Sequence, residues 1–229
     1  MEAVTGNMLD VPNSPEPRIE TIPTGMIQAN CYLVTDTATG DTMVVDPGAE
    51  AERILARVRE RALTVVSILH THGHFDHIGA TEAVLAGLGQ SVPVAAHPAD
   101  AYLYTREARA MGAPFGYPVP ETLAMPDVLL ADGDELRVGE LRLRVIATPG
   151  HTPGSISLLC GAHCVFSGDT LFRRGIGRTD LPGGDEDAIY ESILTRLYPL
   201  APGLAVYPGH GDATTIGEER RANPFVQAP

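Results

Sequence analysis

Cysteine is scarce in this chain: Cys31, Cys160 and Cys164 are the whole supply in 229 residues. They form neither an even set of pairs nor a C-x-x-C dithiol, and their neighbours are strand-like and apolar. Buried free thiols in a reducing compartment are the plainer reading than a disulfide framework. Positive charge is also short, with 16 basic residues against 29 acidic ones and a net charge of −13. That sign does not suit nucleic acid or an anionic membrane as a partner. Missing too is any apolar run of the ~18 residues that a spanning helix needs. Ahead of Cys31 there is no basic segment followed by an apolar stretch, so no export signal is read and the expected location is the cytoplasm.

Enough apolar residues remain for a full core, 44% of the chain. The first residues, Met1 to Pro17, are acidic, interrupted by three prolines and without periodicity, and read as a mobile tail. Residues 18–229 read as a single domain, since no linker divides them. Short β-type runs at Arg18 to Ile22, Asn30 to Thr35 and Thr42 to Asp46 come first. A helix with Ile54, Leu55 and Val58 on one face follows, then a doubly buried strand at Val65 to Leu69. The pattern predicts helices at about Ile78 to Leu88, after Pro98, and at Glu186 to Tyr198, with further strands at Val92 to Ala95, Leu141 to Ile146, Ser155 to Cys160, Cys164 to Ser167 and Leu204 to Tyr207. Between them, Met111 to Pro126 carries four prolines and two glycines and reads as an irregular insertion able to roof a cleft. Two sheets, each with helices on one side, fit an α+β sandwich of four layers. Periodicity alone leaves a doubly wound α/β sheet open as well.

The chemistry concentrates in Thr71-His72-Gly73-His74-Phe75-Asp76-His77, directly after the doubly buried strand. On a helix, His72 and His74 would point about 200° apart, so sharing one cation requires extended or turn backbone, which Gly73 permits. Asp76 and His77, just before a helix, project elsewhere and suit a second cation. His151 in T-P-G-H-T-P-G, Asp169 in S-G-D-T and His210 in Y-P-G-H-G repeat the theme of a ligand-type residue at a strand end among glycines. Five histidines and two aspartates are nitrogen and oxygen donors suited to zinc, iron or manganese, without the thiolates of closed structural zinc. Seven ligands for two cations leave positions open for water and substrate, which predicts catalysis. His70 within a strand and His97 before a helix are expected to serve structure or to support a ligand, and His163 in a hairpin turn falls outside the site.

T-H-G-H-F-D-H, the isolated His151, the G-D-T with Asp169 and the P-G-H-G with His210 resemble the metallo-β-lactamase fold hydrolases. Within them, G-D-T-L-F-R-R-G-I-G-R-T-D-L-P-G-G-D and P-G-H-G-D-A-T-T-I-G-E-E-R-R-A-N-P-F look like the short bacterial glyoxalase II-like (hydroxyacylglutathione hydrolase-like) group. The resemblance implies a four-layer αββα sandwich with a binuclear centre at the edge of the sheets. His72, His74 and His151 would hold one divalent ion, Asp76, His77 and His210 the other, and Asp169 would bridge; zinc is the expected metal. Asp46, in V-V-D-P-G, would orient a ligand imidazole, against the plain alternative of a turn cap. Arg178, in G-I-G-R-T-D, would meet the glutathione part of a thioester, against the alternative of a solvated arginine. Full-length glyoxalase II adds a C-terminal helical region that grips glutathione, so exclusive glutathione specificity is not expected here.

A pair of divalent ions supplies hydroxide at neutral pH by acidifying a shared water toward pKa ~7. Asp76 would orient that hydroxide as well as bind. A thiolate leaving group, with thiol pKa ~8.5, departs without a strong general acid, which favours a thioester over an amide. The expected partner is thus a small thioester, and nucleic acid and membranes are not. The rival from the same resemblance is an iron-dependent persulfide dioxygenase using His72, His151 and Asp169 for one iron. A nuclease is disfavoured by the charge, and a periplasmic β-lactamase by the missing export signal.

Overall fold

Strand β2 (Ala29–Thr35) is buried along its whole length, and its two faces serve two different cores. Cys31 and Leu33 point to an outer helical layer, whereas Tyr32 and Val34 point to a second sheet. That double burial fixes the architecture in the computed structural model, which describes residues 14–121 and 124–227. The first sheet adds β1 (Arg18–Thr24), β3 (Asp41–Val45), β4 (Thr64–Leu69), β5 (Val94–Ala96) and β6 (Val128–Leu129) in the order β1-β2-β3-β4-β5-β6. It begins as an antiparallel meander and continues in parallel from β3 onward.

The second sheet runs β14-β13-β10-β9-β8-β7, from β7 (Glu135–Val138), β8 (Leu141–Ala147), β9 (Ile156–Cys160), β10 (Cys164–Gly168), β13 (Ala205–Pro208) and β14 (Thr214–Thr215). The small hairpin of β11 (Leu171–Phe172) and β12 (Gly175–Ile176) stands apart from both. Met43, Val45 and Leu69 meet Leu143, Leu158 and Phe166 between the sheets. Helices α1 (Ala51–Glu60) and α3 (Thr81–Leu88) cover the first sheet through Ile54, Leu55, Val58 and Val84. On the far side, α5 (Glu186–Ser192) and α6 (Ile216–Ala222) bring Ile189 and Ile216 against Val165 and Val206. Each such aliphatic side chain contributes about 1.5–3 kcal/mol by leaving water. The molecule is therefore a four-layer αββα sandwich, and the doubly wound alternative is excluded. No helix among the described residues is long and apolar enough to cross a membrane.

Three expectations need correction. Asp76 and His77 do not precede a helix; they lie on one, the single turn α2 (Phe75–Ile78), which stops before α3. The break falls where Ala80 N–H donates to the Pro47 carbonyl at 2.9 Å, because the chain must press against the turn after β3 there. The helix expected up to Tyr198 leaves α geometry after Ser192 and winds more widely over Ile193–Leu197. The tail boundary is also too late. Residues 1–13 lie outside the described residues, but Ser14 is buried, its Oγ accepts from Arg142 N–H at 3.0 Å and its carbonyl accepts from His163 Nε2 at 2.9 Å. Ser14 thus packs on the start of β8 and the β9–β10 turn, where His163 serves the contact, and Pro17 is buried as well while Pro15 and Glu16 are exposed.

The insertion, Met111 to Pro126, follows directly on α4 (Arg106–Ala110) and holds a short turn of helix at Ala113–Phe115. Arg109 anchors it. This guanidinium is 2% exposed, donates to Glu82 Oε1 and Oε2 at 3.1 and 3.0 Å and to the Gly79 carbonyl at 3.3 Å. Glu82 also accepts from Ala124 N–H at 2.9 Å, so one carboxylate on α3 ties down both ends of the insertion.

Candidate metal centre

Four strand ends, those of β4, β8, β10 and β13, open on the same edge of the sandwich, and each is followed by a turn that carries a histidine or aspartate. His72 and His74 follow β4, His151 follows β8, Asp169 follows β10 and His210 follows β13, while α2 adds Asp76 and His77. The approach is close enough to demand glycine. A Cβ on Gly209 would lie 2.0 Å from Asp169 Oδ1, and one on Gly48 would lie 1.6 Å from the Asp76 carbonyl oxygen. No side chain fits in either place.

The seven side chains meet as two adjoining groups. In the first, His74 Nδ1 and His151 Nε2 face each other at 2.8 Å, and the His72 ring lies 4.9 and 4.8 Å, centre to centre, from those of His74 and His151. In the second, His77 Nε2 lies 3.3 Å from His210 Nε2 and 3.7 Å from Asp76 Oδ2. Asp169 stands between them. Its Oδ1 is 3.4 Å from His77 Nε2, and its Oδ2 is 3.5 Å from both His151 Nε2 and His210 Nε2. Ring nitrogens that face one another need a cation or a proton between them.

The outward nitrogens are committed, which frees the inward ones. Thr71 Oγ1 lies 3.2 Å from His72 Nδ1 and donates to Asp46 Oδ2 at 2.6 Å. That same oxygen accepts from His77 Nδ1 at 3.0 Å, while Asp46 Oδ1 accepts from Thr71 N–H at 2.7 Å. One carboxylate therefore sets the tautomer and tilt of an imidazole in each group. Asp46 is within ligating distance of His72 and His77, but both its oxygens are occupied by these donors. It supports imidazoles, and its turn backbone is left-handed at φ 51°. His151 Nδ1 donates to the Arg178 carbonyl at 2.7 Å. With these bonds made, His72 Nε2 and Asp169 Oδ1 remain buried without a hydrogen-bond partner among the described residues. Buried polar atoms are rarely left so, and two of them at the meeting point of five imidazoles fit a pair of cations.

Electrostatics separates the groups. Burial, reinforced by His77 and His151, holds His72 well below the ordinary imidazole range. Burial and His151 push His74 down to about 4. Both are neutral near pH 7, the form a cation requires. In the second group burial opposes protonation of His77, but Asp169, Asp76 and Asp46 outweigh it and raise the imidazole to about 10. His210 is also raised, since its bond to Asp76 and the charge of Asp169 overcome burial. The Asp76 carboxyl is held far below its usual range by His77 and His210 despite burial. The second group attracts positive charge; the first offers lone pairs.

The remaining expectations resolve individually. His70 is buried with Tyr104 Oη and Thr81 Oγ1 each 2.8 Å from its ring nitrogens, and His97 Nδ1 accepts from Ala99 N–H at a helix start. Neither enters the centre. Arg178 lines the cleft above it, exposed, with Nε and Nη2 both 2.7 Å from the Asp180 carboxylate. Sequence reasoning missed Asp100. This buried carboxylate accepts from Gly73 N–H at 2.9 Å, Thr152 Oγ1 at 2.8 Å and Gly154 N–H at 2.7 Å, clamping the His72–His74 loop to the His151 loop. It lies far from both in the chain and carries no motif of its own. Asn30 was missed as well; its Nδ2 donates to the Pro208 and Gly211 carbonyls at 3.0 and 2.9 Å, holding the His210 turn.

Residues 24–210 match the family model described as the metallo-beta-lactamase superfamily. The chain belongs to that superfamily. Among its metallo-beta-lactamase relatives, the hydroxyacylglutathione hydrolase GloC of Haemophilus influenzae is 36% identical over 211 residues, 92% of this chain and 98% of that one. Of solved structures, the B3 metallo-beta-lactamase BLEG-1 superposes with a TM-score of 0.83 at 37% identity, covering 91% of this chain and 99% of the other. TTHA1623, solved in a di-iron-bound form, gives 0.80 at 40% identity over 90% and 100%. ETHE1 from Myxococcus xanthus gives 0.74 at 33% identity over 90% and 83%. Membership makes this chain a metal-dependent hydrolase in its general class, with a His/Asp cluster where the superfamily keeps a binuclear centre.

Proposed function

We propose that this chain is a glyoxalase II-like thioesterase whose centre takes two divalent cations. The unpartnered His72 Nε2 and Asp169 Oδ1 within the ring of imidazoles carry the reading. His72, His74 and His151 would hold one ion, Asp76, His77 and His210 the other, with Asp169 shared; zinc suits these donors, and iron or manganese would also bind. When bound, such a pair supplies a nucleophilic hydroxide at neutral pH and draws electrons from a carbonyl oxygen.

The rest falls to the chain's own residues. Asp76 and Asp169 line the cleft and accept hydrogen bonds from the attacking water, directing its oxygen at the carbonyl carbon. A C–O bond forms, the C–S bond breaks, and the thiolate takes the water's second proton to give a thiol and a carboxylic acid. No lysine is found among the described cleft residues, and a thiol of pKa ~8.5 leaves without a strong general acid. Arg178, above the centre, would face the carboxylates of a glutathione leaving group. The named activity of the Haemophilus relative supports that leaving group.

Metal analysis of the purified protein with an S-lactoylglutathione assay tests the proposal. About two ions per chain and metal-dependent thiol release are expected, and His74→Ala should lose both metal and turnover; normal activity in that variant overturns the assignment. The second reading is a persulfide dioxygenase with a single iron on His72, His151 and Asp169. It draws on the same two unpartnered atoms and on the ETHE1 and di-iron neighbours. One iron per chain and oxygen uptake with glutathione persulfide would select it.

A further inference from the structure

The cleft over the histidines has a volume of about 660 Å³. One wall is apolar throughout: Phe75 from α2, with Leu103, Ala108, Met111 and Phe115 from the segment around α4. Phe75 and Phe115 stack with ring centres 6.0 Å apart and planes 10° from parallel, and Tyr117 meets Phe75 edge-on at 5.1 Å. The shelf is open to solvent, Phe115 at 44% and Met111 at 52% exposure. The other wall, from the β11–β12 hairpin and the loop after it, is also mainly apolar, with Phe172, Ile176 and Leu181 beside Arg178, the one arginine among the described cleft residues. Tyr102 Oη donates to the Pro182 carbonyl at 3.0 Å and joins the walls at one end.

Large apolar side chains left exposed beside a reacting centre mark where a ligand covers them. The polar parts of a substrate have partners over the histidines and at Arg178. The Phe75–Phe115 shelf offers none, so a hydroxyl laid on it would lose water without compensation. Arg109, bonded to Glu82, holds the shelf's base in place, so the shelf exists before substrate arrives.

We infer that this shelf is the acyl pocket, and that the preferred substrates are thioesters with a bulky apolar acyl group, an aryl or medium-length alkyl chain, rather than a small hydroxyacyl group. The inference rests on the thioesterase reading and names its substrate class. The reaction is unchanged: water adds to the carbonyl carbon, the C–S bond breaks, and an apolar carboxylic acid and a thiol leave.

The metal-loaded full chain is assayed with acetyl, lactoyl, hexanoyl and phenylacetyl thioesters, each on glutathione and on N-acetylcysteamine. kcat/KM should rise about tenfold or more from acetyl to hexanoyl on either thiol, since four methylenes leave water. Phe115→Ala should bring the hexanoyl-to-acetyl ratio toward one, and Phe115→Leu should restore most of it. S-hexylglutathione and S-methylglutathione, which cannot be hydrolysed, are titrated against the same proteins by calorimetry, with the S-hexyl compound expected to bind more tightly and to lose that advantage in Phe115→Ala. Thioester hydrolysis that prefers lactoyl, or a ratio indifferent to Phe115, overturns the acyl pocket and leaves the thioesterase standing. Absence of any thioester hydrolysis overturns the thioesterase, and the thioether titration still decides the pocket: equal binding of the two compounds refutes it.

Discussion

In the first group His151 lies against the Asp169 carboxylate, whereas His77 and His210 in the second share their space with Asp76 as well. The two groups touch, yet burial dominates one and fixed negative charge the other. Their mechanical support differs too. Asp100 clamps the two loops of the first group, and Asn30, reaching across from the first sheet, holds the His210 turn of the second. Two neighbouring cation positions can thus be tuned apart, one by desolvation and one by charge, while Asp46 and Thr71 keep their geometry in common.

Asp169→Asn should erase the comparison altogether, because this carboxylate faces both groups. We expect kcat/KM to fall by about a thousandfold or more with loss of metal from both positions, measured by elemental analysis after dialysis. Asp100→Asn and Asn30→Ala should sharpen it. The first should weaken cation binding by the first group about 10–100-fold and leave the second nearly intact; the second should do the reverse, read by competitive metal titration. Equal losses in both variants would show a single undivided site.

The metal-free protein allows a test through pH. His74 sits at about 4 in the fold, below its ordinary 6.5, so the unfolded chain binds this proton first and the associated stability is lost as pH falls from 6.5 toward 4. His77 sits at about 10, above 6.5, so its contribution is complete below pH 6.5 and is lost as pH rises toward 10. Urea denaturation at pH 5, 7 and 9 should show His74→Ala flattening the acid side and His77→Ala the alkaline side. The same limb changing in both variants would contradict the assigned difference. The smallest effect is expected from Arg178→Ala, whose charge is already engaged by Asp180: a loss of about two- to fivefold in kcat/KM on glutathione thioesters, less on N-acetylcysteamine thioesters, with metal content unchanged.

Where chemistry is written locally, the sequence was a good guide. T-H-G-H-F-D-H and the three glycine-flanked turns identified seven side chains that do converge, because turns packed this closely around one cluster need glycine beside the polar residue. The four layers were implied by the family resemblance while periodicity left a doubly wound sheet open, and they are decided by strands such as Ala29–Thr35 whose two faces meet different apolar partners. What stayed hidden depends on distant pairing. Asp100 looks like any helix-start aspartate until Gly73 and Gly154 are brought to it, and the Arg178 backbone, rather than its side chain, holds His151. The short helix carrying Asp76 and His77 escaped because one turn has no periodicity to read, and the packing of Ser14 because a lone serine carries no pattern.

The anchor at the base of the insertion has an evolutionary corollary. Since Arg109 and Glu82 secure the segment from below, exposed residues such as Met111 and Phe115 can be exchanged without loosening either the scaffold or the histidine-bearing turns. On the acyl-pocket inference, substrate choice is a removable cartridge, and swapping it on an unaltered base is a short road from this hydrolase to one with a different diet.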